Sequence, residues 1–158
     1  MRKALNLAFV TLLAGVGLCL CLGEAAMIKP SLEQLSQGAE SIVLGTVSNQ
    51  VSTWNVTHTA IYTDVTVEVE EAMKGTVGPE VTFRIAGGEV GHIGMRTSTD
   101  PTFRIGERVI VFLRREGSTA QLFGLQHGKF TVSDGTVTHD RQVMPVPDFR
   151  SAIQAAPQ

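Results

Sequence analysis

The chain has 158 residues with 13 Lys and Arg against 15 Asp and Glu, a formal net charge of −2, and no basic run. That balance leaves no electrostatic footprint for nucleic acid, and the length suits one domain around a modest core. Sixteen glycines among many Val, Thr and Ile residues point to short strands and tight turns rather than a helical bundle.

At the N-terminus, Arg2 and Lys3 form a positive region, Ala4 to Leu22 is an uncharged apolar run, and small residues near Ala25 and Ala26 offer a cleavage point. Residues 1–26 therefore have the form of a signal peptide, and the expected location is periplasmic or secreted. The run is also long enough to span a bilayer, so retention as an anchor is the competing reading. Leu18 and Leu20 precede Cys19 and Cys21, where a lipoprotein signal needs a small residue. Both cysteines fall inside the signal, so the exported chain would hold no disulfide, no Cys-ligated metal and no thiol nucleophile. Its net charge would be about −3, and no stable membrane insertion is expected after cleavage.

Residues 27–38 are expected to contain a short helix: Ser31 is a good N-cap, Gln34 stands at the capping-box position and Gly38 ends the segment. Ser41 to Val51 reads as a strand with Gly45 marking a bend or close approach. Ala60 to Met73 alternates Ile61, Thr63, Val65, Val67 and Val69 with polar residues, the pattern of a strand wet on one face. Lys74 to Pro79 turns the chain into a returning strand, Glu80 to Ile85, with Phe83 inward. Ala86 to Gly106 is a long glycine-bearing loop. Val109 to Leu113 is apolar throughout, a strand buried on both faces. Gln121 to Leu125 and Lys129 to Val132 follow as short strands, and Ser133-Asp134-Gly135 turns into Thr136 to His139. Pro147-Asp148 opens a final helix with Phe149 and Ile153 on one side.

These elements predict an all-β fold, a small five- to six-stranded barrel over residues 39–146 with short terminal helices, the second over 147–158. Closure protects edges that a flat sheet would expose, and a sandwich is the alternative.

Ala39 to Val47, Ile61-Tyr62-Thr63, Met73-Lys74-Gly75, Phe103-Arg104-Ile105-Gly106-Glu107 and Gly124 to Phe130 together resemble a recurring secreted bacterial family with no established activity. More distantly, the order of elements is similar to the netrin-like, OB-type barrel of tissue inhibitors of metalloproteinases. Those inhibitors reach a protease's zinc through an N-terminal cysteine, which the exported chain would lack. The resemblance thus implies the fold and not that activity.

His92 and His127 lie in glycine-rich segments and, with Glu89, compose a candidate His/His/carboxylate metal set, although the spacing matches no compact metal motif. Loop histidines that are solvated or hydrogen-bonded are the plainer reading, and no metal or other cofactor is expected. Ala86 to Arg96 lacks the Lys-Ser/Thr ending of a phosphate-binding loop. Its length makes it a candidate binding surface that includes Glu89, His92, Met95 and Arg96; alternatively Val90, Ile93 and Met95 plug a barrel end. Trp54 is either a ligand anchor or a cap on the wall. Glu68, Glu70 and Glu71 read as a solvated face rather than acid–base machinery. The expected function is an exported, non-catalytic binding domain for an extracytoplasmic protein, peptide or glycan. A metal-assisted hydrolase using His92, His127 and Glu89, and a structural module of an envelope assembly, are the alternatives.

Overall fold

The computed structural model describes residues 29–156 except 100, 140 and 141; the expected signal segment lies outside the described residues. A short helix α1 (Leu32–Gly38) precedes β1 (Ser41–Trp54), β2 (Ile61–Lys74), β3 (Glu80–Ala86), β4 (Gly88–Val90) and β5 (Ile93–Met95). Then come β6 (Arg108–Glu116), β7 (Thr119–Leu122), β8 (Lys129–Ser133), β9 (Thr136–His139), β10 (Gln142–Pro145) and helix α2 (Val146–Ala155). The protein is mostly β, with one large sheet and two short helices.

Local chemistry accounts for the ends of several elements. The α1 capping box forms as expected, Ser31 Oγ accepting from the Gln34 amide and the Gln34 side chain accepting from the Ser31 amide. Asp134 and Gly135 both adopt positive φ, 50° and 75°, the requirement of a two-residue hairpin turn whose twist matches its strands. At Gly45, β2 crosses β1 so closely that any side chain would run into the Glu68 carbonyl and Val67.

Eight strands share one sheet in the order β1-β2-β3-β7-β6-β8-β9-β10, more than the five or six expected, and β6 also pairs with β1. Every pairing is antiparallel except β3 with β7. The first half of β6 lies between β1 on one edge and β8 on the other, and its second half pairs with β7.

Two apolar cores lie back to back across β1 and β6. Val43, Val47, Val109, Val111 and Leu113 face Val65, Val67, Phe83 and Phe103. The alternate residues Ile42, Leu44, Ile110 and Phe112 face Leu35 of α1, Phe130 of β8, and Phe149 and Ile153 of α2. Both strands are consequently buried on both faces, which is why β6 reads as an unbroken apolar run. Burial of each large side chain contributes about 1.5–3 kcal/mol, so both clusters matter to the fold.

Candidate functional site

The segment expected as one irregular loop folds back as the β4–β5 hairpin, with Glu89 opposite Gly94 and Val90 opposite Ile93. Its foot is fixed to the main sheet. The Thr63 hydroxyl donates to the Gly87 carbonyl at 2.7 Å, so the neighbouring Ser52 hydroxyl, 2.8 Å away, must donate to Thr63. The Gly87 amide donates to the Ile61 carbonyl. A side chain on Gly88 would collide with Ser52 and Thr63, and its φ of 135° suits glycine alone. The β4–β5 hairpin therefore stands beside the tip of the β1–β2 hairpin.

That tip is itself ordered. Asn55 Oδ1 accepts from the Thr59 and Ala60 amides, and Asn55 Nδ2 donates to Thr59 Oγ1. Trp54 is half-buried, its ring centroid 6.0 Å from that of His58. Around these groups aliphatic side chains point to water: Val56 is wholly exposed, Ile93 is 56% exposed and Val51 49%.

The candidate residues separate into two places. Glu89, His92 and Arg96 are exposed and Met95 half-buried on or beside the β4–β5 hairpin, next to the Trp54 tip. His127 is elsewhere, in the 3-10 turn Leu125–Gly128, its ring 5.8 Å from that of His139. No group of three metal-ligating side chains assembles among the described residues, so Glu89, His92 and His127 do not form the metal set. His139 is half-buried against the Phe130 ring at 4.4 Å, with Nδ1 3.1 Å from the Lys129 carbonyl.

The core under this region is filled by Phe103, 7% exposed and edge-on to Phe83 at 5.3 Å, rather than by Ile93. A cation holds it there. Lys129 Nζ donates to both Glu107 carboxylate oxygens at 2.7 and 2.9 Å and to the Thr102 carbonyl, and lies 4.6 Å from the centre of the Phe103 ring. Glu107 also accepts from Thr131 Oγ1 and the Arg104 amide. The segments Phe103 to Glu107 and Gly124 to Phe130 are thus joined by a latch that shapes the fold.

Glu70 and Glu71 are likewise structural. Arg108 reaches Glu70, which also accepts from Thr46, and Arg150 of α2 holds both oxygens of Glu71. Hydrogen bonding to Arg108 holds the Glu70 carboxyl below its ordinary value, and Arg150 does the same for Glu71, against the smaller opposing effect of burial.

Compared with protein-family models, curated proteins and solved structures, the chain matches none.

Proposed function

We propose that the chain is an exported, non-catalytic binding domain on an OB-type barrel, with its interaction surface at the paired tips of β1–β2 and β4–β5. The pairing supports the barrel: β1-β2-β3-β7-β6 and back to β1 is a ring of five strands with a single parallel contact, β3 with β7. Strands β8 to β10 and both helices then thicken one wall. Export rests on the signal-like residues 1–26.

The observation that carries the binding reading is the presence of solvent-facing aliphatic side chains, Val56 and Ile93, on two hairpins held together by hydrogen bonds. Loops on a rigid scaffold that expose apolar groups beside an aromatic ring are fitted to contact a protein or peptide. Trp54 supplies the ring, and Glu89, His92 and Arg96 a polar rim.

Photocrosslinking amino acids placed at Val56 and Ile93, with Thr138 on β9 as control, test this in the exported fraction. Both tip positions should capture one shared partner that Thr138 does not, and replacing Gly88 to Met95 by a short turn should abolish capture while the remaining β-structure persists. Equal labelling at all three positions, or capture unaffected by the deletion, would overturn the proposal.

A further inference from the structure

The far half of β1 carries an open backbone edge. Up to Thr46 the strand pairs with β6, and Val47 exchanges backbone bonds with Gly106 and Glu107; beyond that point no described strand pairs with it on this side. On the other side its pairing with β2 runs on to Trp54. The Asn55 amide donates to the Ala60 carbonyl, and the antiparallel alternation from there turns the backbone groups of Thr53 and Val51 toward β2 and those of Trp54, Ser52 and Gln50 away from it. Asn49 Oδ1 takes the Gln50 N–H at 2.8 Å. The Gln50 C=O, both backbone groups of Ser52 and the Trp54 N–H find no protein partner among the described residues.

Natural edges are blunted by charge, by proline or by shortness. At the other end of the strand order, β10 follows that rule: the Val146 amide bonds to the Gly135 carbonyl, so the alternation leaves Val143 and Pro145 facing outward, and Pro145 has no N–H to offer. The β1 edge has no such defence. Between Ser48 and Thr57 there is neither a charged residue nor a proline. Val51 and Thr53 stand exposed there, on the face that also carries Asp64 and Tyr62.

We infer that two copies of the chain join edge to edge here, antiparallel, with Ser52 opposite its twin. A row of outward N–H and C=O groups is satisfied in series by a second extended backbone, which selects a polypeptide over a glycan or a lipid. The row also complements itself. In this register Ser52 exchanges both backbone bonds with its twin, each Trp54 N–H meets the Gln50 carbonyl of the other copy, and the Asn49–Gln50 bond stays intact. Moving the two-fold axis to Val51 would instead call on the Gln50 N–H that Asn49 already holds. Val51, 49% exposed, comes to lie opposite Thr53 of the second copy in a non-hydrogen-bonded pair, the closer kind, so a β-branched neighbour covers it. Every cross-axis pair from Asn49 to Asn55 is neutral, so no like charges meet. The joint is one strand wide, well short of the ~1,600 Å² of a standard interface, which makes the dimer concentration-dependent. A strand of another protein is the competing occupant, and the self-complementary register favours the second copy.

Sedimentation equilibrium of the exported chain from micromolar to millimolar concentration reads the association. Val51→Lys with Thr53→Lys sets like charges against each other at both cross-axis pairs and should weaken the dimer roughly tenfold or more. Val51→Lys with Thr53→Glu sets opposite charges there and should hold it within about threefold of the parent. Both positions are exposed, so each variant should keep the monomer fold, checked by circular dichroism and the urea midpoint. Engineered cysteines fix the register, since a chain cleaved after residue 26 has no other thiol. Val51→Cys mixed with Thr53→Cys should link by a disulfide far faster than either variant alone. Equal association of the two double variants, no faster linkage in the mixture, or Val51→Cys linking fastest with itself would each overturn the assignment. So would a monomer at millimolar concentration, an outcome that would leave the edge to a strand of another protein.

Discussion

Replacing Lys129 by Met removes the cation that ties the Phe103 loop to β8 while preserving much of its apolar stem. Only 11% of the Lys129 side chain and 18% of the Glu107 side chain are exposed, so this pair is screened far less than a surface ion pair. Removing one member of a fully buried pair costs about 3–5 kcal/mol, because the other charge stays desolvated. Here Glu107 keeps Thr131 Oγ1 and the Arg104 amide and has some access to water, which lowers the expected cost to about 2–4 kcal/mol. For a domain of this size that is a fall in Tm of roughly 10 °C. Urea denaturation followed by circular dichroism gives the free energy, and Glu107→Gln and the double variant complete a cycle. The double variant should recover at least about 1 kcal/mol relative to the sum of the singles, since it leaves no stranded charge. A loss below about 1 kcal/mol in Lys129→Met, or additivity across the cycle, would refute the view that this pair holds the loop shut.

Val67 is fully buried between Val65 and the interior of β6, so Val67→Asp should abolish the cooperative unfolding transition, an unpaired buried charge costing several kcal/mol out of a typical 5–15; unchanged thermal stability would contradict the facing of β2. The carboxyls of Glu70 and Glu71 are held below their ordinary value of 4.5, so their contribution is complete above that pH and disappears as pH falls through the depressed folded-state values. Glu70→Gln should narrow the gap between the urea midpoints at about pH 7 and about pH 3, and salt should do so too because both carboxylates are over a third exposed; identical pH profiles for variant and parent would exclude this source of acid sensitivity.

Much of the framework was legible because local and tertiary demands agree. The alternation from Ile61 to Val69, the Ser31–Gln34 box and the Asp134-Gly135 turn each encode their conformation within a few residues. The β4 and β5 strands were missed because three residues carrying a glycine present no period, and β10 because all four of its residues are exposed and only β9 holds it. Phe103 and Ile93 look alike as apolar loop residues; the choice between them is made by Lys129, far away in sequence. The candidate surface was readable as a glycine-rich segment containing Glu89, His92, Met95 and Arg96, yet its attachment to Trp54's hairpin depends on Ser52 and Thr63, ordinary residues by sequence.

The back-to-back cores also impose an order on how the chain matures. The outer faces of β1 and β6 present Ile42, Leu44, Ile110 and Phe112; Leu35 precedes them, but the aromatic part of their cover, Phe130 and Phe149, and Ile153 come later in the sequence. A chain emerging from a ribosome N-terminus first can complete the pairings of β1 to β7 while much of this greasy flank is still bare. Until α2 docks, the nascent protein is thus at its most vulnerable to sticking and to proteolysis, and a truncation before Phe149 would make that transient condition permanent.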